Sequence, residues 1–163
     1  MRAERATSAS PKSPGGALLD DTARALIEML QRDGRQSYAS MALAVGLSEA
    51  AVRQRVQRLI DAQVLQIVAV TDPTQVGFAR QAMIGVRVVG DPTQPLAELE
   101  AMPEIEYIVI TAGSFDLLLE AVCEDDDHLL DVLRRIRRLP GVSSPESFLY
   151  LKLHRQRYDW GTR

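Results

Sequence analysis

Apolar residues recur at helical spacing between Leu18 and Asp33, where Leu26, Ile27 and Leu30 share one stripe. Asp20 or Asp21 is placed to cap this first helix, and Gly34 stands at a C-cap position. Ser37 caps a second predicted helix, Tyr38 to Val45, with Met41, Ala42 and Val45 inward; Gly46 breaks it. Ser48 caps a third, running to about Ala62. Three short helices with a glycine turn between the last two predict a helix-turn-helix. The β-branched run after Val64, and the turn signals Asp72–Pro73 and Gly77, predict two short strands as a wing.

From about residue 81 the period changes. Gln81 to Val89 alternates as a strand, with Ile84, Val86 and Val88 on one face. Residues 92–102 predict a helix burying Leu96 and Leu99, and strands follow at 105–113 and 115–123. A strongly amphipathic helix over 126–139 buries Leu129, Leu130, Leu133 and Ile136, and 147–155 is the last strand. The order β-α-β-β-α-β predicts a ferredoxin-like antiparallel sheet with both helices on one face. Met83, Tyr107, Val109, Leu117 and Leu119 give the strands more apolar surface than two helices cover, which predicts a homodimer through the sheet. The fold class is therefore α+β. Residues 1–17 form a disordered tail, 18–80 a winged helix-turn-helix domain, and 81–163 a ferredoxin-like regulatory and oligomerisation domain.

Projected at about 100° per residue, the third helix anchors itself through Val52, Val56, Leu59 and Ile60. Ala50, Gln54, Gln57 and Arg58 point away, flanked by Arg53 and Arg55, and the nearest acids in sequence are Glu49 and Asp61. Small residues admit close approach to a groove. Gln pairs with adenine and Arg with guanine, while further arginines hold phosphates. Ser37, Ser48, Glu49, Ala50, Arg53, Gln54, Arg55, Gln57 and Arg58 are the expected contacts with double-stranded DNA. The net charge of −3 does not oppose this, because the positive charge need only be local.

The stretch TAGSFD, 111–116, is a second candidate site. Gly113 permits positive φ at a hairpin tip, exposing N–H groups to a carboxylate, and Asp116 suits an ammonium. Gly113, Ser114, Phe115 and Asp116 thus predict a small-molecule effector site, with an α-amino acid carrying both complementary groups. A plain hairpin with Asp as turn former is the alternative.

The remaining chemistry is sparse. Glu124 to Asp127 precede a helix whose far end carries Arg134, Arg135, Arg137 and Arg138, so helix electrostatics accounts for both clusters without a metal. His128, His154 and the lone Cys123 have no zinc spacing and no disulfide partner, which suits a reducing cytoplasm. No nucleophile–base pair or phosphate loop suggests an enzyme or a cofactor. The leader, 1–17, lacks the apolar core of a secretory signal. No apolar run reaches the roughly 18 residues of a membrane span.

Residues 18–59, followed by VLQIVAVTDPTQVG, resemble the N-terminal domain of the Lrp/AsnC transcriptional regulators. PEIEYIVITAGSFDLLLEAV and LRRIRRLPGV resemble that family's regulatory domain. The resemblance runs from about 18 to 155. It implies a sequence-specific DNA-binding regulator, dimers that assemble into octamers, and a small effector, commonly an amino acid. Gln63 and Leu65 depart from the family's usual Gly and Ile after the recognition helix, which predicts a looser helix end. Sirohaem decarboxylases share the architecture, but two histidines are too few for a tetrapyrrole pocket.

Overall fold

The computed structural model describes residues 18–163; the leader over 1–17 lies outside them. The chain divides into two compact units, one running to Ala69 and taking in Gln156–Arg163, the other spanning Val70–Arg155.

The first unit holds α1 (Asp21–Arg32), α2 (Tyr38–Val45) and α3 (Glu49–Asp61). Each begins where a short polar side chain satisfies an orphan N–H. Asp20 accepts from Ala23, Ser37 from Ser40 and Ser48 from Ala51. Leu26, Ile27, Leu30, Met41, Ala42, Val52, Val56 and Leu59 form the core, with Val45 and Ile60 half-buried at its edge. Gly46 closes α2 in the left-handed region, at φ 68°. Gly34 does not do so for α1: Asp33 is the cap, in extended conformation. The polar tip Asp33–Arg35 turns instead through the Asp33 carboxylate, which accepts from Arg35 N–H.

Gln63 adopts a left-handed φ of 56°, a region that glycine enters freely. The end of α3 is nonetheless tied down: Ala62 N–H donates to Arg58 O, Gln63 N–H to Ile60 O, and Val64 and Leu65 N–H both to Leu59 O. The expected looseness is therefore replaced by strain at one side chain. Gln63→Gly should raise the stability of this unit by about 0.5–1 kcal/mol, read as a higher midpoint in thermal unfolding.

No strand ladder forms over residues 64–72, so the expected wing strands are absent from the described chain. Their return partner is consumed by a 3-10 turn, Pro73–Val76, which Asp72 caps through Thr74 N–H. Val64, Ile67, Val68 and Val70 stay exposed while Leu65 is buried. The chain then comes back at its far end: Gly161 N–H donates to Gln31 Oε1 at 3.0 Å, Gln31 Nε2 donates to Gly161 O, and Thr162 donates to Glu28.

The second unit follows the expected order: β1 (Arg80–Val88), α4 (Thr93–Glu100), β2 (Ile105–Ile110), β3 (Leu117–Cys123), α5 (Asp126–Arg138) and β4 (Val142–Leu149). The sheet order is β2-β3-β1-β4, all neighbours antiparallel. Its start at Val70 precedes the expected joint at residues 80/81, and Ala79 N–H already donates to Glu124 O within this unit. Ala82, Ile84, Val86, Leu117, Leu119, Ala121 and Cys123 meet Leu99, Leu129, Val132 and Ile136 in its core. Leu117 and Leu119 are thus covered by helices rather than surplus, and Leu130 is exposed with Val132 in the place expected for it. On the open face lie Met83, Tyr107, Val109, Leu118 and Phe148, with Met83 paired to Phe148 and Val109 to Leu118.

The last strand runs over Val142–Leu149, not 147–155. Pro145 argues against a central strand, but β4 is an edge. The ladder slips between Arg87↔Ser143 and Gly85↔Glu146, and Ser144 turns to φ 44°, so a bulge lifts the proline out of the pairing. Beyond Tyr150 the chain bends at Leu151 and joins no ladder.

Candidate DNA interface and effector loop

The exposed face of α3 presents Ala50, Arg53, Gln54, Gln57 and Arg58. They are not equally free. Gln57 donates to Asp61 at 2.8 Å, and Arg58 Nε reaches Gln54 O at 3.4 Å. Arg53 Nη2 donates to Glu49 Oε1 at 2.8 Å, and its guanidinium lies 4.8 Å from the centre of the Tyr38 ring. The Gln54 side-chain amide has no partner among the described residues, so its full donor–acceptor pair faces outward. Ser37 and Ser48 accept from Ser40 and Ala51 N–H at 3.2 Å, which leaves each hydroxyl hydrogen available to an acceptor.

Arg55 stands apart. Expected to hold phosphate, it instead donates through Nη1 to Asp20 Oδ2 at 2.6 Å, tying α3 to the start of α1. Asp20 therefore serves two helices, and the Ala23 N–H and then the Arg55 guanidinium hold its carboxyl below the usual range. Sequence reasoning looked for acids close to α3 and missed this one, 35 positions away.

In the second unit, residues 111–116 do form the β2–β3 connection, but not as the expected glycine nest. Gly113 is not among the positive-φ residues. The loop is fixed by its flanks instead: Thr111 N–H donates to Asp116 O, Thr111 Oγ1 to Phe115 O, and Asp116 N–H to Val86 O. The Asp116 carboxylate accepts from Val88 N–H at 2.7 Å through Oδ2; Oδ1 has no partner among the described residues. Arg87, which the sequence reading passed over, donates to Ser114 O at 2.8 Å and lies 5.7 Å over the Phe115 ring. Its signal was a lone cation in an alternating apolar strand. Phe115 packs edge-on to Phe148 at 6.2 Å and covers Gly85 so closely that a Cβ there would sit 2.6 Å from the ring.

A carboxylate, a guanidinium and an open aromatic edge thus converge on one rim of the sheet. No group of His, Cys, Asp and Glu among the described residues is arranged to hold a metal. Nor is any described helix long and apolar enough to cross a membrane. Cys123 is fully buried, and burial pushes its thiol up.

A helix-turn-helix followed by a ferredoxin-like domain with a rim loop defines a two-domain ligand-responsive regulator, and comparison with known proteins agrees. Residues 19–60 match the AsnC-type helix-turn-helix domain, and residues 81–160 match the Lrp/AsnC ligand binding domain. The chain belongs to the Lrp/AsnC family of DNA-binding transcriptional regulators. It is similar to HTH-type transcriptional regulator FL11 of Pyrococcus horikoshii, with 27% identity over 85% of this chain and 93% of that one. The solved leucine response regulatory protein LrpA of Mycobacterium tuberculosis is 32% identical, with TM-score 0.76 and 85% and 96% of the two chains covered. A Neisseria meningitidis regulator solved with L-Met is 26% identical, also with TM-score 0.76, covering 86% and 95%.

Proposed function

We propose that α3 enters the major groove with Arg53, Gln54 and Gln57 towards base edges and Arg58 towards phosphate, while Ser37 and Ser48 touch backbone. The observation that carries this is the outward Gln54 amide, unengaged between two arginines on an exposed face. Arg55 serves as a tie between helices rather than a DNA contact. Glu49 lies beside the bases, its charge offset by Arg53. The protein binds and does not catalyse, and works in the cytoplasm.

The effector is a zwitterion of the α-amino acid type, held at Gly113–Asp116. Asp116 Oδ1 takes the ammonium, and the Arg87 guanidinium takes the carboxylate. Phe115 forms the apolar wall. The L-Met bound by the Neisseria relative supports an amino acid, as does the opposed charge at this rim. The open sheet face around Met83, Leu118 and Phe148 is the dimer surface, and a neighbouring dimer completes the rim pocket in a larger assembly, up to an octamer.

Gly85→Ala tests the effector site without touching its polar groups. The added methyl displaces the Phe115 ring, so calorimetry with an amino-acid panel beginning with L-Met should lose the binding seen with wild type. DNA binding without effector should persist. Equal binding by both proteins places the site elsewhere. Asp116→Ala is the poorer probe, because it also strips Val88 N–H of its acceptor.

A further inference from the structure

Arg53 is the one arginine on the exposed face of α3 that is held from two sides. Glu49, one turn earlier, takes Nη2 in a charge-assisted bond of 2.8 Å. The guanidinium carbon lies over the ring of Tyr38, from a different helix, 4.8 Å from its centre. Tyr38 itself is half-buried against the helical core, so packing holds the platform. A stacked, ion-paired guanidinium gives up the rotamer freedom that an exposed arginine otherwise loses on binding. Its remaining N–H donors point along a set direction. Reading guanine through O6 and N7 demands this geometry, whereas a phosphate contact tolerates a mobile charge.

We infer that Tyr38 is a positioning residue for base recognition, the platform that aims Arg53 while Glu49 fixes its rotation. This rests on the reading that α3 lies against base edges. Tyr38 is at the start of α2, so sequence specificity is set partly from outside the recognition helix.

The test compares wild type, Tyr38→Phe, Tyr38→Leu and Arg53→Ala on a randomised operator library and on single-substitution operators across a salt series. Phe keeps the aromatic face, whereas Leu keeps apolar packing and lacks it. Tyr38→Phe should match wild type. Tyr38→Leu should lose about 3- to 10-fold in discrimination at one base pair per half-site, with an unchanged salt slope, because no phosphate contact is removed. That base pair should be the one to which Arg53→Ala becomes indifferent. Adding Tyr38→Leu to Arg53→Ala should cost nothing further. Unaltered base preference in Tyr38→Leu overturns the inference, as does a full additional loss in the double variant. A wild type that shows no preference among sequences fails the base-reading assignment itself, and the inference with it.

Discussion

Replacing Gln54 by Ala should cost about 1–3 kcal/mol on the preferred operator and relax the requirement at a single base position. The side chain is exposed and its amide unpaired, so the substitution removes donor and acceptor without disturbing the buried Val52–Val56–Leu59 stripe. Arg58→Ala should behave differently. It should weaken all sequences alike and lower the salt slope by about one, since it removes one phosphate-neutralising charge. Titrations of matched and mutated operators at several salt concentrations separate the two. If the two variants lower affinity with the same sequence dependence and the same slope, the proposed division between base reader and phosphate holder is wrong.

Glu104→Ala should destabilise the regulatory unit by about 2–3 kcal/mol at neutral pH. Its side chain is only 10% exposed and binds Arg135 through Oε2 and His128 Nε2 through Oε1 at 3.2 Å. His128 Nδ1 in turn accepts from Glu124 N–H, which leaves Nε2 as the protonated nitrogen facing the carboxylate. Without the carboxylate, Arg135 keeps a buried Nε that already lacks a partner. Burial raises the Glu104 carboxyl, but the bonds from Arg135 and His128 outweigh it, and the group stays below its ordinary range. Because the folded value is depressed, this stabilisation is complete above about pH 4.5, where an unfolded glutamate is ionised. It fades as pH falls through the folded value. Urea unfolding of wild type and variant should therefore show a gap that is level above about pH 4.5 and narrows as the pH falls below it. A gap independent of pH would mean that the carboxylate charge contributes nothing.

What the sequence revealed follows the range of the interactions concerned. The caps at Ser37 and Ser48 and the turn at Gly46 act within four residues, and all three helices of the first unit were legible from them. The wing was not, because a strand requires a partner, and Asp72–Pro73 turns the returning segment into a 3-10 helix. Pro145 hid most of β4, since an edge position and a bulge at Ser144 are tertiary facts. On α3 the spacing gave the outward face, but which arginine was free depended on Asp20. At the proposed effector loop the residue types were suggestive while the geometry came from β1. Val86, Arg87 and Val88, rather than Gly113, fix the loop.

The return of Gln156–Arg163 to α1 bears on how the molecule assembles. Topologically the regulatory unit, Val70–Arg155, is a guest inserted into its DNA-binding host. While the guest is unfolded, Gln31 can meet Gly161 only by closing a long flexible loop, and that entropic cost grows with the logarithm of loop length. Once the guest has folded, the pairing of β1 with β4 and the Tyr150 N–H bond to Gln81 O bring residues 81 and 150 together, so the loop left to close is far shorter. On this entropic ground the Gln31–Gly161 and Glu28–Thr162 bonds should form after the sheet and its helices, coupling completion of the helical unit to the folding of its neighbour.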